Sequence, residues 1–158
     1  MESAFLAVIK QNQRIIHKVS RMYRDTIEDR QDLFQEIVFQ LWKSFPNFRQ
    51  ESMAGTWIYR IALNTAIASY RKAKPALRFT DTLPDDASLI DHQPVSENEE
   101  RMYQALSHLN DSEKSIIALF LEDYSYAEIA EIVGISENYV GVKMSRIKEK
   151  LKLIVNGK

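Results

Sequence analysis

Three of the chain's four prolines fall within the stretch PALRFTDTLPDDASLIDHQPV, residues 75–95, together with Asp81, Asp85, Asp86 and Asp91. No helical or alternating period of apolar residues runs through it. Proline fixes its own φ and donates no backbone hydrogen bond, and clustered carboxylates repel one another, so such a stretch neither continues a helix nor lies inside a sheet. It predicts an extended, flexible acidic linker over residues 75–95. The 158 residues are thereby divided into two small domains, 1–74 and 96–158, each with a modest core.

On both sides of the linker apolar residues recur at helical spacing, glycine and proline are scarce, and no hairpin signal is present, which predicts an all-α protein. A first helix takes Phe5, Val8, Ile9, Ile15, Ile16, Val19 and Met22. A second, from about Asp29 to Phe45, carries Leu33, Phe34, Ile37, Val38, Leu41, Trp42 and Phe45 and is ended by Pro46. A third runs from about Ala54 to Lys74 and stops at Pro75; the three form one bundle. Ser96 with Glu99 three residues on is a capping box that opens the second domain. Met102, Leu106 and Leu109 then share a face, and a helix from about Asp111 to Glu122 packs Ile116, Ile117, Leu119 and Phe120.

The chain has no cysteine, and His17, His92 and His108 lack any ligand spacing, so disulfides, a thiol nucleophile and a cysteine zinc site are excluded and no metal or cofactor is expected. Polar residues interrupt MESAFLAVIKQNQRII every few positions, which fits neither a signal peptide nor a membrane span and predicts a cytoplasmic protein. The net charge of -1 hides an uneven distribution. Lys and Arg outnumber Asp and Glu by 12 to 7 over residues 1–74, fall to 1 against 7 over 75–100, and reach six against one over 138–158. Two basic surfaces follow.

In SYAEIAEIVGISENYV, residues 125–140, Ser125 and Glu128 form a capping box, the next helix buries Ile129, Ala130, Ile132 and Val133, and Gly134 supplies the left-handed turn before Ser136 caps a further helix. Val140, Met144, Ile147 and Leu151 then define a buried seam, leaving Asn138, Tyr139, Val142, Lys143, Arg146 and Lys150 on the other side. Such a helix-turn-helix can enter the major groove of DNA with its N-terminal residues at base edges and its cations near phosphates. The same residues fit an ordinary helical hairpin with a solvated face, and the motif alone leaves both open.

Asp32, Gln35 and Glu36 put three acceptors on one face of the second helix. They suit either an arginine-rich partner or a solvated face near a helix N-terminus, where acids are favoured anyway. A metal-dependent enzyme would need further ligands, and no catalytic residue is assigned. In the third helix Arg60, Asn64 and Arg71 share a side, with Lys72 and Lys74 nearby, while Trp57, Ile58, Ile61 and Ala62 turn inward. Basic residues beside aromatic ones suit single-stranded nucleic acid; Trp57 is assigned to the core and Tyr59 is left open as a stacking residue.

Taken in this order, DLFQEIVFQLWKSFPNFRQES with TWIYRIALNTAIASYRK, and then ALSHLNDSEKSIIALFLEDYSYAEIAEIVGISENYVGVKMSRIKEKL, resemble the sigma-2 and sigma-4 domains of an extracytoplasmic-function (ECF) sigma factor, the specificity subunit of bacterial RNA polymerase. The resemblance spans residues 4–74 and about 96–152. It implies a sigma-2 bundle and a sigma-4 helix-turn-helix domain joined by the linker, with no enzymatic activity. Asp32, Gln35 and Glu36 would dock on the β′ clamp helices of core RNA polymerase, and the sigma-4 core on the β flap. The loop Phe48, Arg49, Gln50, Glu51 and Ser52, with Arg60, Asn64 and Arg71, would capture the opened minus-10 element of promoter DNA, one base being flipped out. Asn138, Tyr139, Val142, Lys143, Arg146 and Lys150 would read the minus-35 element, and the linker would thread toward the RNA exit path. An anti-sigma factor is the further partner it implies; no membrane insertion is.

Tyr139, Gly141 and Val142 depart from the family's usual recognition helix, and Ala54 and Gly55 from what often precedes TW, so promoter sequence does not carry over. Gly141 in a helix centre weakens it by roughly 1 kcal/mol relative to alanine. Two rival readings are a free-standing helix-turn-helix regulator, which leaves DLFQE without a use, and a helical adaptor or enzyme, which leaves the basic face without one.

Overall fold

The computed structural model describes residues 2–48, 53–71 and 96–156, the side chains of 69–71 excepted. The chain divides into two compact units, Met1–Gln93 and Pro94–Lys158, and every regular element among the described residues is helical. The expected linker, residues 75–95, and the expected end of the third helix, residues 72–74, lie outside the described residues.

The first unit is a bundle of three mutually packed helices: α1 Glu2–Tyr23, α2 Ile27–Ser44 and α3 Ala54–Arg71, with a 3-10 turn at Phe45–Asn47. Much of the predicted stripe forms its core: Phe5, Ile9, Ile16 and Val19 of α1 pack with Leu33, Ile37, Val38 and Leu41 of α2 and Ile58 and Ala62 of α3, joined by Ala66; Val8, Ile15, Trp42, Phe45, Trp57 and Ile61, expected inside, are half-buried. Helix α1 is not continuous in geometry. At Asn12 the backbone leaves helical values (φ -123, ψ 17), and the Asn12 side-chain amide donates to the Val8 carbonyl at 2.9 Å, competing with the regular ladder. Helix α2 begins two residues earlier than expected because the Thr26 hydroxyl accepts from the Asp29 amide at 3.1 Å. Pro46 then tightens the chain into the 3-10 turn, since it cannot donate into a continuing α-helix.

Tyr59 lies in the core, 2% exposed, so it is no stacking surface for nucleic acid; its position on α3 falls between Ile58 and Ala62 on the buried side. Arg24, unflagged by the sequence, is also buried. Its guanidinium donates to the Tyr23 carbonyl at 2.9 Å and to the Ala66 carbonyl at 3.3 Å, tying the α1–α2 corner to α3. Arg30 braces the same corner by donating to the carbonyls of Arg24 and Asp25.

The second unit contains α4 Glu97–Leu106, α5 Asp111–Leu121, α6 Tyr126–Val133 and α7 Glu137–Asn156. Leu106, Leu109, Ile116, Leu119, Ile129, Val140, Met144 and Ile147 form its core. Val133, Leu151 and Phe120, expected inside, are only half-buried. The last turns of α7 extend past the packed region and leave Leu153 and Val155 exposed. Every helix start here carries a side-chain cap. The Ser96 hydroxyl accepts from the Glu99 amide at 3.2 Å, Asn110 and Glu113 form a full capping box, as do Ser125 and Glu128, and Ser136 accepts from the Tyr139 amide at 3.1 Å.

Candidate nucleic-acid and polymerase interfaces

Burial of Leu33, Phe34, Ile37, Val38 and Leu41 fixes the roll of α2 and thereby turns Asp32 to solvent, with Gln35 and Glu36 half-buried beside it. The spacing that put these three acceptors together in the sequence is therefore kept in the fold. On α3 the buried side formed by Ile58, Tyr59, Ala62, Leu63 and Ala66 leaves Arg60 and Asn64 exposed one turn apart. Arg49, Gln50, Glu51 and Ser52 lie outside the described residues, as does the side chain of Arg71.

What the sequence did not disclose is how that loop is anchored. Phe48, immediately before it, stacks on Trp57, just after it, with ring centroids 4.4 Å apart and planes at 22°. Phe45 lies 6.1 Å from both rings and 5.3 Å edge-on from Phe5, which in turn meets Trp42 edge-on at 4.9 Å. Phe48 and Trp57 thus belong to one aromatic cluster that reaches Phe5 in the core. The cluster holds Phe48 against α3 and covers one face of its ring.

In the second unit the predicted turn is present in detail. Ser125 and Glu128 exchange bonds of 2.8 and 3.1 Å, and Gly134 sits at φ 84 with its amide 2.8 Å from the Ala130 carbonyl. A left-handed residue there lets both Gly134 and Ile135 donate to Ala130, closing α6 before α7 starts. Gly141 is a different case: a Cβ there would meet only the Tyr126 ring, at 3.8 and 4.0 Å, which is ordinary contact.

The six residues assigned to the recognition face differ in what engages them: all but Lys143 are exposed, and the two lysines are bonded to α5. Asn138 and Arg146 are exposed, and Tyr139 and Val142 are 43% and 46% exposed, so these four project outward. Lys143 is half-buried; its ammonium donates to the Ser112 hydroxyl at 2.6 Å and lies 5.5 Å from the centroid of the Tyr139 ring. Lys150 is paired with Glu113 at 2.8 and 2.9 Å. Burial pushes the Glu113 carboxyl upward, but the Lys150 hydrogen bond, the Asn110 backbone amide and the charges of Lys150 and Lys143 outweigh it and hold the group below the ordinary carboxylate range. Ser112 and Glu113 were absent from the sequence assignment. The Asn110–Glu113 spacing, a capping-box spacing, was the signal that placed a carboxylate at this helix start.

Among the described residues no group of histidine, aspartate or glutamate side chains is arranged to hold a metal ion, and no helix is long and apolar enough to cross a membrane.

Residues 8–75 match the family model for sigma-70 region 2, and residues 99–151 that for sigma-70 region 4. The matched spans fall on the α1–α3 bundle and on α4–α7. These two matches, in this order on two helical units, define a sigma-70-type transcription factor. Relatives include the ECF RNA polymerase sigma-E factor of Haemophilus influenzae, 32% identical over 142 residues that cover 79% of this chain and 72% of that protein. They also include the ECF sigma factor SigM of Mycobacterium tuberculosis, 24% identical over 94% of this chain and 75% of its own length, and SigW of Bacillus subtilis, 24% identical over 96% and 88%. Two solved structures share the fold. CnrH in complex with the cytosolic domain of CnrY has a TM-score of 0.71, 19% identity and coverage of 100% of this chain and 91% of that one. The sigma factor RpoE of Bartonella quintana, in complex with the anti-sigma factor NepR, has 0.67, 18%, and 99% and 97%.

The chain belongs to the ECF sigma factors of bacterial RNA polymerase. Its function is that of the family: it binds core RNA polymerase, directs it to promoters and promotes strand opening for initiation.

Proposed function

We propose that three surfaces divide this work. Asp32, Gln35 and Glu36 of α2 dock on the β′ clamp helices of core polymerase, where carboxylates take charge-assisted bonds from guanidinium groups. Arg60, Asn64 and Arg71 of α3, with the loop Phe48, Arg49, Gln50, Glu51 and Ser52, hold the opened minus-10 strand. Asn138, Tyr139, Val142 and Arg146 of α7 read the minus-35 element from the major groove, with Lys143 and Lys150 at the edge of that face. The second unit also rests on the β flap, and residues 75–95 connect two DNA-binding domains as an acidic linker along the RNA exit path.

The observation that carries this assignment is the outward face of α2. Leu33, Phe34, Ile37, Val38 and Leu41 are buried in the bundle core, which leaves Asp32 exposed with Gln35 and Glu36 half-buried beside it, inside the span that matches sigma-70 region 2. Strand opening requires no covalent step: unstacking costs a few kcal/mol per base step and is offset by holding the displaced strand, so the protein acts by binding and not as an enzyme. It works in the cytoplasm, where its polymerase is. By likeness to the RpoE complex, an anti-sigma factor holds it inactive when free of polymerase.

Co-purification with core RNA polymerase tests the docking face. The double variant Asp32→Arg with Glu36→Arg is expected to abolish recovery of core enzyme while far-UV circular dichroism stays unchanged. Undiminished recovery overturns the assignment. Transcription from a randomised promoter library by the wild-type holoenzyme then supplies the promoter, and Asn138→Ala is expected to relax choice at minus-35 while leaving minus-10 choice intact.

A further inference from the structure

The first turn of α5 runs beside α7 and grips it at two points. Lys143 and Lys150 are seven residues apart, two helical turns, and therefore lie on one stripe. Ser112 takes the first and Glu113 the second, across sequence separations of 31 and 37 residues. The Glu113 side chain is 7% exposed and that of Lys150 48%. The same carboxylate also accepts from the Asn110 amide at 3.0 Å, so it is fixed in place by its own helix cap before it meets the lysine. Arg146, between the two lysines on α7, points outward to solvent.

A cation bonded to a buried carboxylate is neutralised where it stands, and a phosphate must displace that partner to use it. Two cations of α7, half-buried Lys143 and exposed Lys150, are thus engaged by α5, while Arg146, Lys148 and Lys152 and the amide, aromatic ring and branched methyls of Asn138, Tyr139 and Val142 stay exposed. Amides and apolar groups discriminate bases, whereas ammonium groups bind any phosphate.

We propose that Ser112 and Glu113 are positioning residues for promoter choice: by holding Lys143 and Lys150 against α5 they fix the roll of α7 and withhold two cations from sequence-independent contact with DNA. This rests on the reading that α7 enters the minus-35 element.

The test uses holoenzyme assembled with the full chain, on a promoter selected by the wild-type holoenzyme and on the same DNA with minus-35 scrambled, over a range of salt. In Glu113→Gln the amide oxygen still accepts from Asn110, so the cap survives, but Lys150 loses its counter-charge. The expected result is tighter binding to the scrambled template, a steeper salt dependence by roughly one phosphate contact (~0.9 in the log–log slope), and a severalfold fall in the ratio of intact to scrambled binding. Adding Lys150→Gln should remove the extra slope. Ser112→Ala, which leaves the Glu113 cap untouched, should move slope and ratio in the same direction and serves if the Glu113→Gln variant does not fold. Equal weakening on both templates with an unchanged slope would mean a merely structural role and overturns the proposal, as does no change in slope or ratio. A wild-type holoenzyme indifferent to the scramble overturns the minus-35 reading itself, and is seen before any variant is made.

Discussion

The two units reach a defined shape by different means. The bundle of α1, α2 and α3 uses helices of 22, 18 and 18 residues whose apolar stripes face one another, and its fully buried side chains include Phe5, Ile9, Ile16, Leu33, Ile37, Leu41, Ile58 and Tyr59. The second unit has helices of 10, 11 and 8 residues before α7, and its wholly buried side chains include Ile116, Leu119, Ile129, Met144 and Ile147. Short helices bury little and leave a high proportion of backbone groups at their ends. There, each helix start is closed by a side chain and a buried carboxylate ties α5 to α7. A long seam sets geometry by packing; a short helix needs its ends and its roll set by polar bonds. A module that presents a reading face to DNA needs that roll defined.

Both tryptophans lie in the first unit, so tryptophan-selective fluorescence follows that unit while circular dichroism follows both. The largest effect is expected from Ile37→Ala, which empties the centre of the long seam and should destabilise the first unit by about 2–5 kcal/mol in urea denaturation read by tryptophan. A loss as small as that of a helix cap would erase the distinction between the units.

Next is the dependence of the second unit on Glu113. Its carboxyl is held below its unfolded value, so the stabilisation is complete above the ordinary carboxylate pKa, about 4.3, and is lost as pH falls through the lowered folded value. Far-UV circular dichroism over that acid range should show a transition in the wild type that is diminished in Glu113→Gln, which has no proton to take up.

Ser125→Ala is expected to cost about 1 kcal/mol, seen by circular dichroism with the tryptophan transition unmoved. A shift of the tryptophan transition by the same amount would show that the two units do not respond independently. The smallest change expected is a gain. Gly141→Ala should raise the melting temperature slightly, corresponding to about 0.5–1 kcal/mol, because the added methyl meets only the Tyr126 ring at ordinary distance while the unfolded chain loses freedom.

Much was legible in the chain alone. The helical class, the stripe of α2 with Asp32 opposite it, the Ser125–Glu128 box and the left-handed Gly134 all follow from residues at most a few positions apart, and local spacing is written directly in the chain. The same holds for the order of two sigma-type segments, which the family matches bear out. Less local features were missed. The bonds of Lys143 to Ser112 and of Lys150 to Glu113 left no trace in local spacing, and Tyr59 stayed ambiguous because its position lies at the border of the apolar stripe.

Periodicity and capping therefore settle which residues are helical and which way each helix faces, since both depend on contacts within about one turn. Partner choice across the fold has no such local record. That Phe48 lies on Trp57, that Arg24 reaches the Ala66 carbonyl, and that Ser112 and Glu113 take the two lysines of α7 depend on where helices cross, and only packing of the assembled cores brings those groups within bonding distance.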